Sequence, residues 1–236
     1  MHARISGADL ITIAGLNRLG RMIAAHPSIK SPADLVGKKV GIGVFGTTAD
    51  YGMRLGLRKL NLRANKEVTF IQVGDAPARI AAVTSGAVQA VILSGYDKHF
   101  LEQYRLRLLA ETEDIDFMGS GIVTTEAFAK SNRDTILRLF RGVTDTIQFI
   151  KNDRKRTTEL LGKIYRETDQ PLLAKRYQNL LGIYPDYPYV SPSAIQSIID
   201  VLKEDGKIKD APPAQSFLDM SYLRAVEKER IAAGQK

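Results

Sequence analysis

The chain contains no cysteine. That excludes disulfides, thiolate metal sites and cysteine nucleophiles together, and it leaves the redox compartment open. The three histidines, His2, His26 and His99, are far apart and lack any His-x-x-x-His spacing, so no metal site is expected. No apolar run reaches the roughly 18 residues that a membrane-spanning helix needs. The opening "MHARISGADLITIAGLNRLG" has a polar start, a short apolar stretch and no small-residue cleavage site, which is not the shape of a signal peptide. As written, the chain carries no export address. The G-x-S-x-G and P-loop patterns are missing too. "GIGVFG" has G-x-G-x-x-G spacing, but its third glycine precedes the helix and no acid follows at the right distance.

What is present suits a chain with a real core: 236 residues, 44% of them apolar, enough for one large or two small domains. The formal charge of +8 invites a nucleic-acid reading. The basic residues are scattered, however, and the densest run, "KNDRKRTTELLGK", contains acids and reads as a solvated helix face. Neither a clustered basic face nor interleaved aromatics appears, so no nucleic-acid partner is expected. A generally positive surface still steers small anions.

Residues 38 to 111 alternate regularly. "KKVGIGVF", "EVTFIQV", "VQAVILS" and "LRLLAE" are strand candidates. Between them lie helix candidates "TADYGMRLGLRKLNL", "APARIAAVTSG" and "YDKHFLEQY". That βαβαβαβ order predicts a largely parallel sheet covered by helices. After residue 117 helices dominate, with Ile136, Phe140, Val143, Ile147 and Ile150 in one stripe and Ser191 and Pro192 opening another helix. Only "DLITIAG" (9–15), "RMIAA" (21–25) and "GIVTT" (121–125) remain as strands for about five helices, a poor sheet for that many amphipathic faces.

The stretch "GIGVFGTTADYGMR" reads as a strand end, a small-residue turn and a helix start. Gly46, Thr47, Thr48 and Ala49 present helix N-terminal N–H groups and hydroxyls that hold a polar or anionic group. The plainer alternative is a capped turn in which Thr47 is the N-cap, Asp50 sits three residues on, and the carboxylate repels an incoming anion. Both readings stand at this point.

Three stretches carry a family resemblance: "SPADLVGKKVGIGVFGTTADYGMRLGLRKLNL", "VTFIQVGDAPARIAAVTSGAVQAVILS" and "GSGIVTTEAFAKSN". They resemble the sulfonate-, nitrate- and pyrimidine-precursor-binding proteins of ABC importers, the SsuA/ThiY-like (NMT1-like) group. The resemblance runs from about residue 5 to 230. It implies an α/β, periplasmic-binding-protein-like (type II) fold of two lobes with a small solute held between them. Residues 30–115 would be the complete second lobe, and residues 1–29 and 116–236 the helix-rich later part of a first lobe. The first lobe's earlier strands, and an export segment ahead of them, would lie upstream of "ISGADL". The strand ending in "Leu-Ser" is followed here by Gly-Tyr where many relatives have proline.

The resemblance also places candidate residues. The Gly46–Ala49 turn would face the cleft at the carboxyl end of its strand, where open α/β sheets put ligands. Ser94, Gly95 and Tyr96 follow a second strand of that lobe: Ser94 would donate a hydrogen bond and Tyr96 would stack, unless they simply cap and pack. Gly119, Ser120 and Gly121 would lie where the chain returns between lobes, as a hinge or a solute contact, with a plain turn the safer reading of each residue singly. Gln72, Gly74 and Asp75 are weaker candidates for the rim. The implied partners are a small anionic or heteroaromatic solute and an ABC permease with its ATPase; membrane contact comes only through the permease, and no cofactor is implied. Location is periplasmic by resemblance, or cytoplasmic if the start at Met1 is genuine. Three alternatives stay open: a truncated family member that binds nothing, a basic adaptor, and an enzyme similar to the thiamine-pyrimidine synthases. The absent cysteine counts against the last, because those enzymes use a cysteine-rich motif.

Overall fold

The chain leaves one structural unit at residue 18, builds a second, and returns to the first at residue 117. The computed structural model describes residues 2–18 and 20–234, the side chains of His2, Asn17, Arg18, Tyr96 and Ile183 excepted. The first unit (Met1–Arg18 and Phe117–Lys236) opens with α1 (His2–Ile5) and β1 (Ile11–Arg18). The second (Leu19–Asp116) follows as β2 (Arg21–Ala25), β3 (Lys39–Ile42), α2 (Thr48–Lys59), β4 (Thr69–Gln72), α3 (Ala76–Thr84), β5 (Ala90–Ser94), α4 (His99–Gln103) and β6 (Arg107–Glu111).

Its five strands lie in the order β4-β3-β5-β2-β6. β3 is parallel to both β4 and β5, as the alternation of strands and helices requires. The difference from a largely parallel sheet is β2, which inserts between β5 and β6 antiparallel to each. This is the "RMIAA" segment, which the sequence reading grouped with the first lobe. Met22, Ile23, Ala24 and Ala25 are all completely buried. A strand apolar on both faces needs cover on both faces and neighbours on both edges, and the middle of this sheet supplies them. The strands alternate as their period of two demands. Ile23 and Ile92 join Val40, Ile42, Met53 and Leu57 under α2, while Met22, Val91 and Leu93 meet Ile80 and Val83 of α3 on the other face. Gly52 and Gly56 let α2 approach β2 closely: a methyl at Gly56 would sit 2.8 Å from the Cδ1 of Ile23.

The first unit resumes with β7 (Met118–Thr124), α5 (Glu126–Ser131), α6 (Arg133–Asn152), α7 (Arg154–Tyr165), α8 (Gln170–Ile183), α9 (Pro192–Glu204) and α10 (Ser221–Ala232). β1 and β7 pair antiparallel as a two-stranded sheet. α6 and α10 cover it, with Ile11 and Ile13 against Ile136, Phe140, Leu223 and Val226. Ser191 caps α9 as its spacing predicts, accepting from the Ala194 N–H at 3.0 Å with Pro192 at the first helical position. The α6 stripe is buried only in part. Ile136, Phe140 and Ile147 are in the core, but Val143 and Ile150 are half-buried.

Candidate functional site

The carboxyl ends of β3, β4 and β5 lie side by side, and the turns leaving them carry most of the candidate residues of the second unit. β3 ends at Ile42 and α2 begins at Thr48. Gly46 bridges them with a φ of +79°, a left-handed conformation that glycine adopts without cost.

The expected capping pair is not formed. Thr47 is the N-cap in extended conformation, yet its hydroxyl donates to the Val44 carbonyl at 2.6 Å and caps no helix N–H. Asp50 reaches back one residue further than a capping box and accepts from the Gly46 N–H at 2.8 Å. Its other oxygen accepts from Arg54 Nε at 2.7 Å. Asp50 is 1% exposed and Arg54 8%, and the Arg54 guanidinium lies 4.9 Å from the centre of the Phe70 ring. The carboxylate expected to repel an anion is therefore paired and buried behind the helix.

Two turn donors are satisfied by the protein itself. Gly46 N–H is held by Asp50, and Phe45 N–H donates to Gln72 Oε1 at 2.8 Å. Gln72 is thus a brace for the turn. The first N–H groups of α2, at Thr48, Ala49 and Asp50, have no acceptor within the helix and no side-chain cap. The Thr48 hydroxyl accepts from Arg21 Nη2 at 3.0 Å, which leaves its own proton available to donate.

Arg21 and Arg79 are the residues that sequence reasoning missed. Arg21 opens β2 opposite Ser94 at the end of β5, so it lies at the carboxyl edge of the parallel strands. Arg79 is 7% exposed; its Nε donates to the Ile92 carbonyl at 2.8 Å and its Nη1 to the Gly74 carbonyl at 2.5 Å. It ties the ends of β4 and β5 together beneath Gly43, where an added methyl would meet Nη1 at 3.2 Å. Burial pushes the Arg79 pKa down, and the nearby Arg21 charge pushes it further in the same direction, against Asp97 and Asp75. A buried guanidinium whose charge is disfavoured in this way is favoured by an anion beside it.

Ser94 and Gly95 reach the same edge. The Ser94 N–H donates to Asp97 Oδ2 at 3.2 Å, and the Gly95 N–H donates to the Gly20 carbonyl at 3.0 Å. A methyl at Gly95 would approach Glu113 Oε1 to 3.1 Å. The side chain of Tyr96 lies outside the described residues. Gly74 lends its carbonyl to Arg79, and Asp75 caps α3 through the Ala78 N–H at 3.0 Å, so both build the rim. Gly119, Ser120 and Gly121 belong to the first unit and form no turn: they lie within β7, with Gly121 opposite Gly15 and Ser120 opposite Asn17. A methyl on Gly121 would meet the Ala14 carbonyl at 2.8 Å, so the glycine serves close strand approach. Among the described residues no group of three or more His, Cys, Asp or Glu is placed to hold a metal, and no helix is long and apolar enough to cross a membrane.

A family model described as NMT1/THI5 like matches residues 1–156. No curated protein matches the sequence significantly. Solved structures do match. The periplasmic aliphatic sulphonate binding protein SsuA of Escherichia coli is 21% identical, with a TM-score of 0.71 over 92% of this chain and 71% of its own. The alkanesulfonate-binding protein SsuA of Xanthomonas axonopodis pv. citri, solved bound to MOPS, is 19% identical, with a TM-score of 0.71 over 92% and 76%. The desulfurization enzyme DSZB is 12% identical, with a TM-score of 0.62 over 94% and 80%. These likenesses show a mixed α/β fold shared with periplasmic binding proteins.

Proposed function

The chain belongs to the NMT1/THI5-like family, and from that premise we propose that it is a non-catalytic binding protein for a small anionic solute. The anion is taken up at the carboxyl ends of the parallel strands of the second unit. The contact that carries this reading is Arg21 Nη2 on Thr48 Oγ1 at 3.0 Å. It sets a guanidinium beside the Thr48 hydroxyl, which keeps a proton to donate, at the uncapped start of α2. Charge-assisted donors around a helix start are the chemistry of holding an oxyanion. The matched enzyme shows that this fold also carries catalysis; on this edge the Arg21 and Arg79 guanidinium groups and the Thr48 hydroxyl are the groups suited to retaining an anion, with the carboxylates of Asp75 and Asp97 engaged by backbone N–H groups on its rim.

Ser94 and Gly95 complete the same edge in this reading, Gly46 and Thr47 shape the turn, and Thr48 and Ala49 meet the solute. By analogy with the matched sulfonate-binding proteins, the protein works in the periplasm and delivers its solute to an ABC permease with its ATPase. A thermal-shift panel of alkylsulfonates, nitrate, aromatic acids and pyrimidine phosphates tests the binding. A true solute at a hundredfold its Kd stabilises the protein by about 2.7 kcal/mol, and its uncharged isostere does not. A panel in which no anion shifts the melting temperature, or in which neutral analogues do as well, contradicts the proposal.

A further inference from the structure

The first unit holds a cavity of about 580 Å³ alongside α6, within the range of small-ligand pockets. Leu139, Val143, Ile147 and Ile150 give it an apolar wall, with Leu16 of β1 opposite. The single charged side chain in its lining is Arg138. No carboxylate pairs with that guanidinium among the described residues; its one side-chain contact is with the Thr135 hydroxyl at 3.4 Å. Gly142 forms part of the wall in the middle of a twenty-residue helix, and a methyl there would touch nothing within 4 Å. A mid-helix glycine is unfavourable relative to alanine. With no packing to require it, what this one provides is depth in the groove.

We infer that this groove is a second binding site, for a medium-chain carboxylate whose head pairs with Arg138 and whose tail lies along the α6 stripe. A lone cation at one end of an apolar trough selects an anion with an apolar tail over either a bare ion or a neutral chain. At 1.5 Å per residue the distance along the helix from Arg138 to Ile150 is about 18 Å, room for an extended chain of that class. The inference stands apart from the anion site of the second unit.

Octanoate is the probe, with acetate as head alone and 1-octanol as tail alone, each titrated by calorimetry into the full chain. Octanoate binds the parent protein and acetate does not. Gly142→Leu, which fills the trough with a better helix former, abolishes octanoate binding while circular dichroism and melting confirm the fold. Arg138→Gln weakens octanoate by about tenfold and leaves octanol unchanged, and Thr48→Val leaves octanoate unchanged. The inference is overturned if octanoate does not bind, if Gly142→Leu binds it as well as the parent, or if light scattering shows a dimer that Gly142→Leu dissociates, which would make a second copy the occupant.

Discussion

Replacing Asp50 with alanine lowers the stability of the protein by about 3–5 kcal/mol, the usual cost of breaking a buried ion pair by removing one partner. Both oxygens of this carboxylate are engaged, one with the Gly46 N–H at 2.8 Å and one with Arg54 Nε at 2.7 Å. The pair lies almost wholly out of water, at 1% and 8% exposure, and Arg54 also rests on the ring of Phe70. The alanine variant keeps a buried guanidinium while removing its carboxylate, and it strips the turn N–H of its acceptor. Urea unfolding reads the loss as a lower midpoint with an unchanged slope. The double variant Asp50→Ala/Arg54→Met recovers part of that loss, because an apolar side chain of similar length has no charge to strand. A single variant as stable as the parent shows that the pair does not organise the turn.

The second large effect is on binding. Arg21→Ala weakens the anionic solute identified by the panel by about ten- to a hundredfold, the equivalent of one hydrogen bond to a charged group. Thr48→Val acts on the same solute through the lost proton, and also through the partner it removes from Arg21. Thr47→Val changes affinity little, since its hydroxyl already donates to the Val44 carbonyl. The contrast between two adjacent threonines separates recognition from turn-building, and calorimetric titration of the three variants measures it. Equal losses at Thr47 and Thr48 contradict the assigned roles.

The order of strands and helices in the second unit is legible because its patterns are local. "AVIL" within "VQAVILS" is a continuous apolar run, and "TADYGMRLGL" places Met53 and Leu57 on one helical face. Sheet order is not local. "RMIAA" says that it is buried but carries no sign of direction or partner, so its central antiparallel place emerges only in three dimensions. Glycine is ambiguous in a similar way: Gly119 and Gly121 read as a hinge, a solute contact or a plain turn, whereas both lie within β7, with Gly121 placed so that a methyl there would meet the Ala14 carbonyl at 2.8 Å. A threonine before a helix reads as a cap because its hydroxyl accepts, and Thr47 donates instead. Arg21 and Arg79 escaped notice because a lone basic residue in a sequence reads as solvated. The hint was their company, since each is set among small or apolar residues, in "RMIAA" and "APARIAAV".

The central claim is that an anion sits at the start of α2 beside Arg21. Nitrogen-15 NMR of the labelled chain, titrated with the best anion of the panel, tests it most directly. The account predicts saturable shifts of the Thr48, Ala49 and Asp50 amides and of the Arg21 side-chain signal, with the α6 amides from Leu139 to Ile150 unmoved. Binding of that anion with those four signals stationary contradicts it.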